Sequence, residues 1–73
     1  MNIGDRYVWA GGRRPDVVYI ELFVPQEGPT HVVTRHEWGG DRPIFDTKSI
    51  EDFEEMVRDG ELIKEGNSNV YDG

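Results

Sequence analysis

Cysteine is absent from this 73-residue chain, and histidine occurs only twice. Without thiols the chain has no disulfide and no cysteine-ligated zinc or iron–sulfur site, which are common ways of stabilising so small a domain. His31 and His36 are separated by an odd number of positions, so on one strand their side chains point to opposite faces. We therefore expect no metal, no cofactor, and a fold stabilised by packing or by a partner.

Long hydrophobic runs are also missing, since every apolar stretch is far shorter than the roughly 18 residues needed to cross a bilayer. Residues 1–5 have neither the basic cluster nor the apolar core of a signal peptide. We expect a soluble, cytoplasmic protein without membrane contact. Basic residues are scarce as well, and the net charge of −7 disfavours nucleic acid and anionic lipid as partners.

What the chain does contain is a series of short segments rich in β-branched and aromatic residues, separated by glycine and proline. These segments predict antiparallel strands at 6–9, 17–24, 31–38 and 44–45. In the second strand, the alternation places Val18, Ile20, Leu22 and Val24 on one face, which we expect to form the core.

The opposite face of that second strand carries Tyr19 and Phe23 around Glu21. Two aromatic rings make this face more apolar than ordinary solvated surface. We therefore expect it to be covered by another element or to be part of a binding patch.

The periodicity changes after residue 48. Ser49 suits the N-cap of a helix, apolar residues recur at helical spacing from Ile50 to Val57, and Gly60 suits the position that ends the helix. A short fifth strand would follow at 62–63.

These elements predict a mainly β fold with one C-terminal helix, in the order β-β-β-β-α-β, built as an SH3-like small antiparallel barrel or a curled meander. Residues 1–64 would form a single domain, and residues 65–73 a frayed acidic and polar tail.

The negative charge is concentrated at one end of the chain. Residues 1–45 carry six acids and five bases, whereas residues 46–73 carry nine acids and three bases. Acids in the first turn of a helix interact favourably with its dipole, which explains part of this excess. The remainder would form an acidic outer helix face that favours a basic or mixed protein surface. Its candidate partner-binding residues are Glu51, Glu54, Glu55 and Asp59.

No pattern of residues points to catalysis. The paired carboxylates Glu54 and Glu55 are expected on a solvated helix face, without the apolar surroundings that acid–base catalysis requires. Gly11-Gly12 followed by two arginines lacks the strand–loop–helix context of a phosphate-binding loop. We expect a protein without enzymatic activity.

A second hypothesis is a nucleic-acid-binding small barrel. It would use exposed arginines with exposed aromatic rings as stacking surfaces. The candidate residues are Arg13, Arg14, Arg35, Arg42, Tyr7 and Trp9. The small number of bases makes this the weaker of the two hypotheses, because affinity for phosphate grows with the number of charges neutralised.

The chain resembles short accessory proteins of actinobacterial tailed phages in four segments. These are the opening IGDRYVW at 3–9, the strands at 18–23 and 30–37, and SIEDF at 49–53. In those proteins a Gly-Asp-x-Tyr opening, a Val-x-Val-x-His-like strand and a Glu-x-Phe helix recur. The resemblance covers most of residues 3–63. It implies binding directed at a host protein, within the host cytoplasm, and carries over no catalytic residue.

The leading hypothesis is therefore a non-enzymatic protein–protein interaction module, encoded by a phage as a modulator or inhibitor of a host protein. The acidic helix face would steer the partner. Trp9, Tyr19 and Phe23 would provide the apolar centre, since aromatic residues contribute most of the binding energy at interfaces. A third hypothesis is a structural subunit that forms homo-oligomers through exposed strand edges.

Overall fold

The computed structural model describes residues 1–67, which form one antiparallel sheet of five strands and one α-helix. The strands are β1 (Asp5–Trp9), β2 (Val17–Val24), β3 (His31–Glu37), β4 (Ile44–Ser49) and β5 (Leu62–Asn67), and the helix α1 (Ile50–Arg58) lies between β4 and β5. A single 3₁₀ turn, Ala10–Gly12, follows β1. The predicted mainly β class and the order β-β-β-β-α-β are confirmed.

The bounds of β1 and β3 differ from the prediction by one residue each, and those of β4 and β5 by four. The predicted tail at 65–73 begins inside β5, and its last residues, 68–73, lie outside the described part of the chain. The fourth strand extends to Ser49 rather than ending at Phe45. Within residues 1–67, no helix is long and apolar enough to cross a membrane.

The strands are ordered β4-β3-β2-β1-β5 across the sheet, so β4 and β5 are the two edges. The sheet is open, because no pairing joins these two edges within residues 1–67. The closed barrel considered from the sequence is therefore not confirmed. Instead, α1 packs on the inner face and contacts β3, β4 and β5.

The core lies between the inner face of the sheet and α1. Its buried apolar residues are Tyr7, Trp9, Val18, Ile20, Val32, Phe53 and Leu62. Phe53 is the largest fully buried side chain, and its ring meets the Tyr7 ring edge to face, with centroids 5.0 Å apart. Burying one such side chain contributes roughly 1.5–3 kcal/mol, a large share of the stability of so small a domain.

A β-bulge between Ile20 and Leu22 divides β2 into two halves with opposite orientation. Ile20 pairs with Thr34 but Leu22 pairs with Val33, so one extra residue lies on β2. The predicted core face is therefore right for Val18 and Ile20 and wrong for Leu22 and Val24, which are exposed. Phe23 instead turns inward and packs against the core.

The helix begins and ends as its sequence predicts. The Oγ of Ser49 accepts a hydrogen bond of 3.0 Å from the backbone N–H of Asp52, which caps the first turn. Gly60 follows the helix with φ of +84°, a conformation that favours glycine. The N–H of Ile50 also donates to the Thr30 carbonyl, which attaches the start of α1 to the start of β3.

Candidate functional site

A groove of about 280 Å³ opens on the inner face between β4 and α1. We call it the β4–α1 groove. It is lined by Trp9, Arg14, His36, Trp38, Ile44, Phe45, Asp46, Lys48 and Met56. One side chain from α1 and several from β4 therefore face the end of β1 and the loop that precedes β2.

Strand alternation places the β4 residues in the groove. Ile44 pairs with the inward-facing His36, and Asp46 pairs with the inward-facing Thr34, so both side chains lie on the inner side of the edge strand. Met56 forms the helix wall. Its helical neighbours one turn away are Asp52 and Asp59, which are exposed, so carboxylates border the groove on that side.

Behind the groove lies a chain of three buried polar side chains, one from the loop before β2 and two from β3, which we call the Asp16–His36–Thr34 chain. The Nδ1 of His36 lies 2.8 Å from the Oδ2 of Asp16, and its Nε2 lies 3.1 Å from the Oγ1 of Thr34. Asp16, His36 and Thr34 are only 3%, 7% and 0% exposed. The Thr34 Oγ1 also lies 3.4 Å from the backbone carbonyl of Asp46 on β4.

The carboxylate of Asp16 is ionised by its surroundings. Burial alone would raise its pKa, but the hydrogen bond to His36, the nearby indole N–H of Trp9 and the charge of Arg14 together lower the pKa below the ordinary value. The Trp9 Nε1 is buried and makes no well-formed hydrogen bond within residues 1–67, yet its N–H is one of the groups that lower the pKa of Asp16.

Both bases of the groove are paired with acids. The Nε of Arg14 lies 3.3 Å from Asp16, and the Arg14 guanidinium stacks over the Trp9 ring at 4.3 Å from its centroid. The Nζ of Lys48 lies 3.0 Å from the Oδ2 of Asp46 and lowers the pKa of that carboxyl. The groove interior therefore has little uncompensated charge and is suited to an apolar side chain.

The four acidic candidates for partner binding, Glu51, Glu54, Glu55 and Asp59, are exposed on the outer side of α1. None of them forms an ion pair with a base in the described part of the chain. Their charge is therefore available to a partner.

The three aromatic candidates do not form one surface. The expectation that Trp9 is exposed is wrong, because its side chain is in the core with 9% of its surface accessible. Phe23 is half-buried against the same core. Tyr19 lies on the outer face of the sheet, where the Arg35 guanidinium stacks on its ring at 4.7 Å. The helix is on the inner face, so Tyr19 is separated from it by the sheet.

The residues of the nucleic-acid hypothesis are also dispersed. Tyr7 is buried against Phe53 and offers no stacking surface, which corrects the expectation that it is exposed. Arg35 lies on the outer face and is held by Glu21 and Glu37, whereas Arg14 lies in the groove on the inner face. The other two candidates, Arg13 and Arg42, are exposed in loops.

Sequence reasoning missed Asp16, Thr34 and Trp38 as parts of the site. His36 alternates with Thr34 and Val32 on an inward face, and a buried histidine needs a polar partner. This need is the one feature of the sequence that indicates a buried polar site. It could not identify Asp16, which approaches His36 only because β2 and β3 pair. Within residues 1–67, no three histidine, aspartate or glutamate side chains are placed to hold a metal ion.

Comparison with known proteins found no matching family model, no similar curated protein and no similar solved structure. Function is therefore inferred from the β4–α1 groove and the charges around it.

Proposed function

We propose that this protein is a non-enzymatic interaction module that binds a protein partner through the β4–α1 groove. An apolar side chain of the partner enters the groove, and basic residues beside it meet the acidic face of α1. The observation that carries the proposal is the position of Met56, which forms the helix wall of the groove between exposed acids that have no basic partner in the described part of the chain.

The groove supplies the apolar centre of the proposed interface. Ile44 lies in the groove and is 54% exposed, and Phe45, 55% exposed, borders the groove at the edge strand although it alternates toward the outer face. Beside them, the indole Nε1 of Trp38 donates a 2.6 Å hydrogen bond to Asp41, which satisfies its polar atom and leaves the ring to pack. Aromatic residues and methionine are enriched at the centres of protein interfaces. This replaces Tyr19 and Phe23 in the proposed apolar centre, and Trp9 contributes only as part of the groove lining.

The acidic face of α1 supplies the charged rim. Exposed charges contribute modestly to affinity but raise the association rate and select partners of opposite sign. Asp52 and Asp59 lie one helical turn from Met56 on either side, so a basic residue next to the anchored side chain would reach them. The partner surface is thus expected to combine one apolar anchor with flanking lysine or arginine.

The burial of the Asp16–His36–Thr34 chain supports a binding role without catalysis. Aspartate, histidine and a hydroxyl in series are the groups of a nucleophilic triad. Here the Thr34 hydroxyl is fully buried, so no substrate carbonyl can approach it. The Asp16–His36–Thr34 chain instead connects the loop before β2 to β3 and β4.

We further propose that the fold is an open variant of the SH3-like small barrel, supported by the element order and the pairing of β1 with β5. The resemblance to phage accessory proteins suggests the biological setting, a phage-encoded modulator or inhibitor of a host protein.

The test uses a library of random peptides displayed on filamentous particles and selected on the immobilised full chain. Selected peptides are expected to share an apolar residue flanked by bases. Their binding is expected to be lost in Ile44→Asp and retained in Ile63→Asp, a matched control because Ile63 is 49% exposed on the outer face, whereas Ile44 lines the groove.

Replacing Glu51, Glu54 and Glu55 by Gln and Asp59 by Asn should weaken binding and flatten its salt dependence. Selected peptides that bind Ile44→Asp as well as the native chain would place the interface elsewhere and refute the proposal. Sedimentation at several concentrations and titration with labelled oligonucleotides at low salt test the two competing hypotheses, self-association and nucleic-acid binding.

A further inference from the structure

We propose that the proton on His36 controls the β4–α1 groove by deciding whether the Thr34 hydroxyl ties β3 to the backbone of β4. The role of the groove in partner binding rests on the function proposed above, whereas the tie itself is a property of the free protein.

Both ring nitrogens of His36 are engaged inside the protein. Nδ1 faces the Asp16 carboxylate at 2.8 Å, and Nε2 faces the Thr34 hydroxyl at 3.1 Å. An ionised carboxylate only accepts hydrogen bonds, so Nδ1 carries a proton in both charge states of the ring. The variable proton is therefore the one on Nε2.

When His36 is neutral, Nε2 has a lone pair and accepts the hydroxyl proton of Thr34. A threonine hydroxyl has one proton to donate. The carbonyl of Asp46, 3.4 Å from the same oxygen, then receives no hydrogen bond from the Thr34 hydroxyl. In this state β4 is held to β3 at this point by the backbone ladder alone.

When His36 is charged, Nε2 carries a proton and donates it to the lone pair of the Thr34 Oγ1. The hydroxyl proton is then free to rotate toward the carbonyl of Asp46, which completes a third bond in the series. Charging the ring therefore adds a side-chain tie to β4, the strand that carries Ile44, Phe45, Asp46 and Lys48 into the groove. We expect the groove wall to be firmer in the charged state.

The charges that face His36 come from two segments. The loop before β2 brings the Asp16 carboxylate with Arg14 beyond it, and β4 brings Asp46 with Lys48. The helix and β1 contribute the uncharged Met56 and Trp9. Because the pKa of Asp16 is lowered, its carboxylate stays ionised when His36 gains a proton. Protonation of His36 therefore forms a buried ion pair with Asp16.

The chain contains a matched control for this arrangement. His31 also contacts a threonine, with its Nδ1 2.8 Å from the Oγ1 of Thr30, but that pair is exposed and lies at the start of β3. Removing the Thr30 hydroxyl changes an equivalent histidine–threonine contact without touching the β3–β4 tie.

The first measurement needs no variant. Nitrogen-15 spectra of the two histidine rings, recorded from about pH 8 to 5, the range in which histidine ordinarily changes charge, report which nitrogen keeps its proton. We expect neutral His36 to keep the proton on Nδ1. A neutral ring with its proton on Nε2 would overturn the proposal.

The second measurement is amide hydrogen exchange of β4 over the same range, corrected for the intrinsic effect of pH. One added hydrogen bond should slow exchange by roughly three- to ten-fold on charging His36. Thr34→Val should abolish this difference, and Thr30→Val should preserve it. Exchange of β4 that does not change across the titration of His36, or that changes equally in Thr34→Val, would refute the tie.

The third measurement is the affinity of a selected groove-binding peptide at pH values on either side of the His36 titration, in the native chain and in Thr30→Val. Tighter binding to the charged state supports control of the groove, and equal affinity in both states overturns it. If no peptide enters the groove at any pH, the proposed function fails while the exchange data still decide the tie.

Discussion

Removing the carboxylate of Asp16 should destabilise this domain far more than removing an exposed carboxylate of the same type. Asp16→Ala leaves the Nδ1–H of His36 without its acceptor, takes away the anionic partner of Arg14, and leaves the Trp9 indole N–H facing a void. Leaving a buried donor without its acceptor costs about 1–3 kcal/mol, and more when the group is charged. Because Arg14 is exposed and can be solvated, we expect a loss of about 3 kcal/mol.

That loss is comparable to the whole stability of the domain, since a core of this size rarely gives more than about 3–5 kcal/mol. Asp16→Ala should therefore be largely unfolded near physiological temperature. Asp46→Ala is the matched control, because Asp46 also has a lowered pKa and a basic partner, yet its side chain is 54% exposed. Exposed pairs contribute about 0–1 kcal/mol, so this variant should remain folded.

Urea unfolding followed by tryptophan fluorescence, at a temperature low enough for both variants to be folded in water, gives both free energies, and its pH dependence adds a second test. The folded pKa of Asp16 is below the unfolded value, so the stabilisation is present above about pH 4 and is lost as the pH falls through the folded pKa. The difference between the native chain and Asp16→Ala should thus shrink in acid. A loss below about 1 kcal/mol at neutral pH, or one equal to that of Asp46→Ala, would refute the reasoning.

Three further predictions concern the core, the helix and alkaline pH. Phe53→Ala should cost about 3–5 kcal/mol and abolish cooperative unfolding, whereas Phe45→Ala on the exposed edge should change the urea midpoint little. Ser49→Ala should lower stability by about 1 kcal/mol and Ser49→Asp should restore most of it, because either oxygen can cap the helix. Burial, with the nearby charges of Asp5 and Glu54, raises the pKa of Tyr7, so its stabilisation is present below about pH 10 and lost above it. Tyr7→Phe should remove that part of the alkaline loss, as measured by urea midpoints on either side of pH 10.

The elements that sequence predicted well are those whose signals are local. Ser49 and Gly60 mark the helix ends by backbone geometry that few other residues provide, and both occupy the expected positions. The edge strand β4 was predicted too short because residues 46–48 are polar and have no strand pattern of their own. They are extended because they pair with Val32, Val33 and Thr34 of β3, which is a tertiary effect.

The candidate site was only partly accessible to sequence reasoning, for the same physical reason. The acidic face of α1 follows from helical spacing and was predicted correctly as exposed. The burial of Trp9 depends on α1 folding back over the sheet, and the partner of His36 depends on strand pairing between residues 20 positions apart. Neither contact can be read from the spacing of residues along the sequence. The β4–α1 groove and the Asp16–His36–Thr34 chain were therefore visible only in the three-dimensional structure.

The bulge in β2 has a consequence for which substitutions the strand should tolerate. Before Glu21 the even-numbered positions Val18 and Ile20 need apolar side chains, and after it the odd-numbered Phe23 does. In a library of single substitutions, the positions that require apolar residues should therefore change from even-numbered to odd-numbered in the middle of the strand. Polar residues should be accepted at Leu22 and Val24 but not at Phe23. Deleting Glu21 would remove the extra residue and restore simple alternation, with Ile20 and Phe23 both still facing the core.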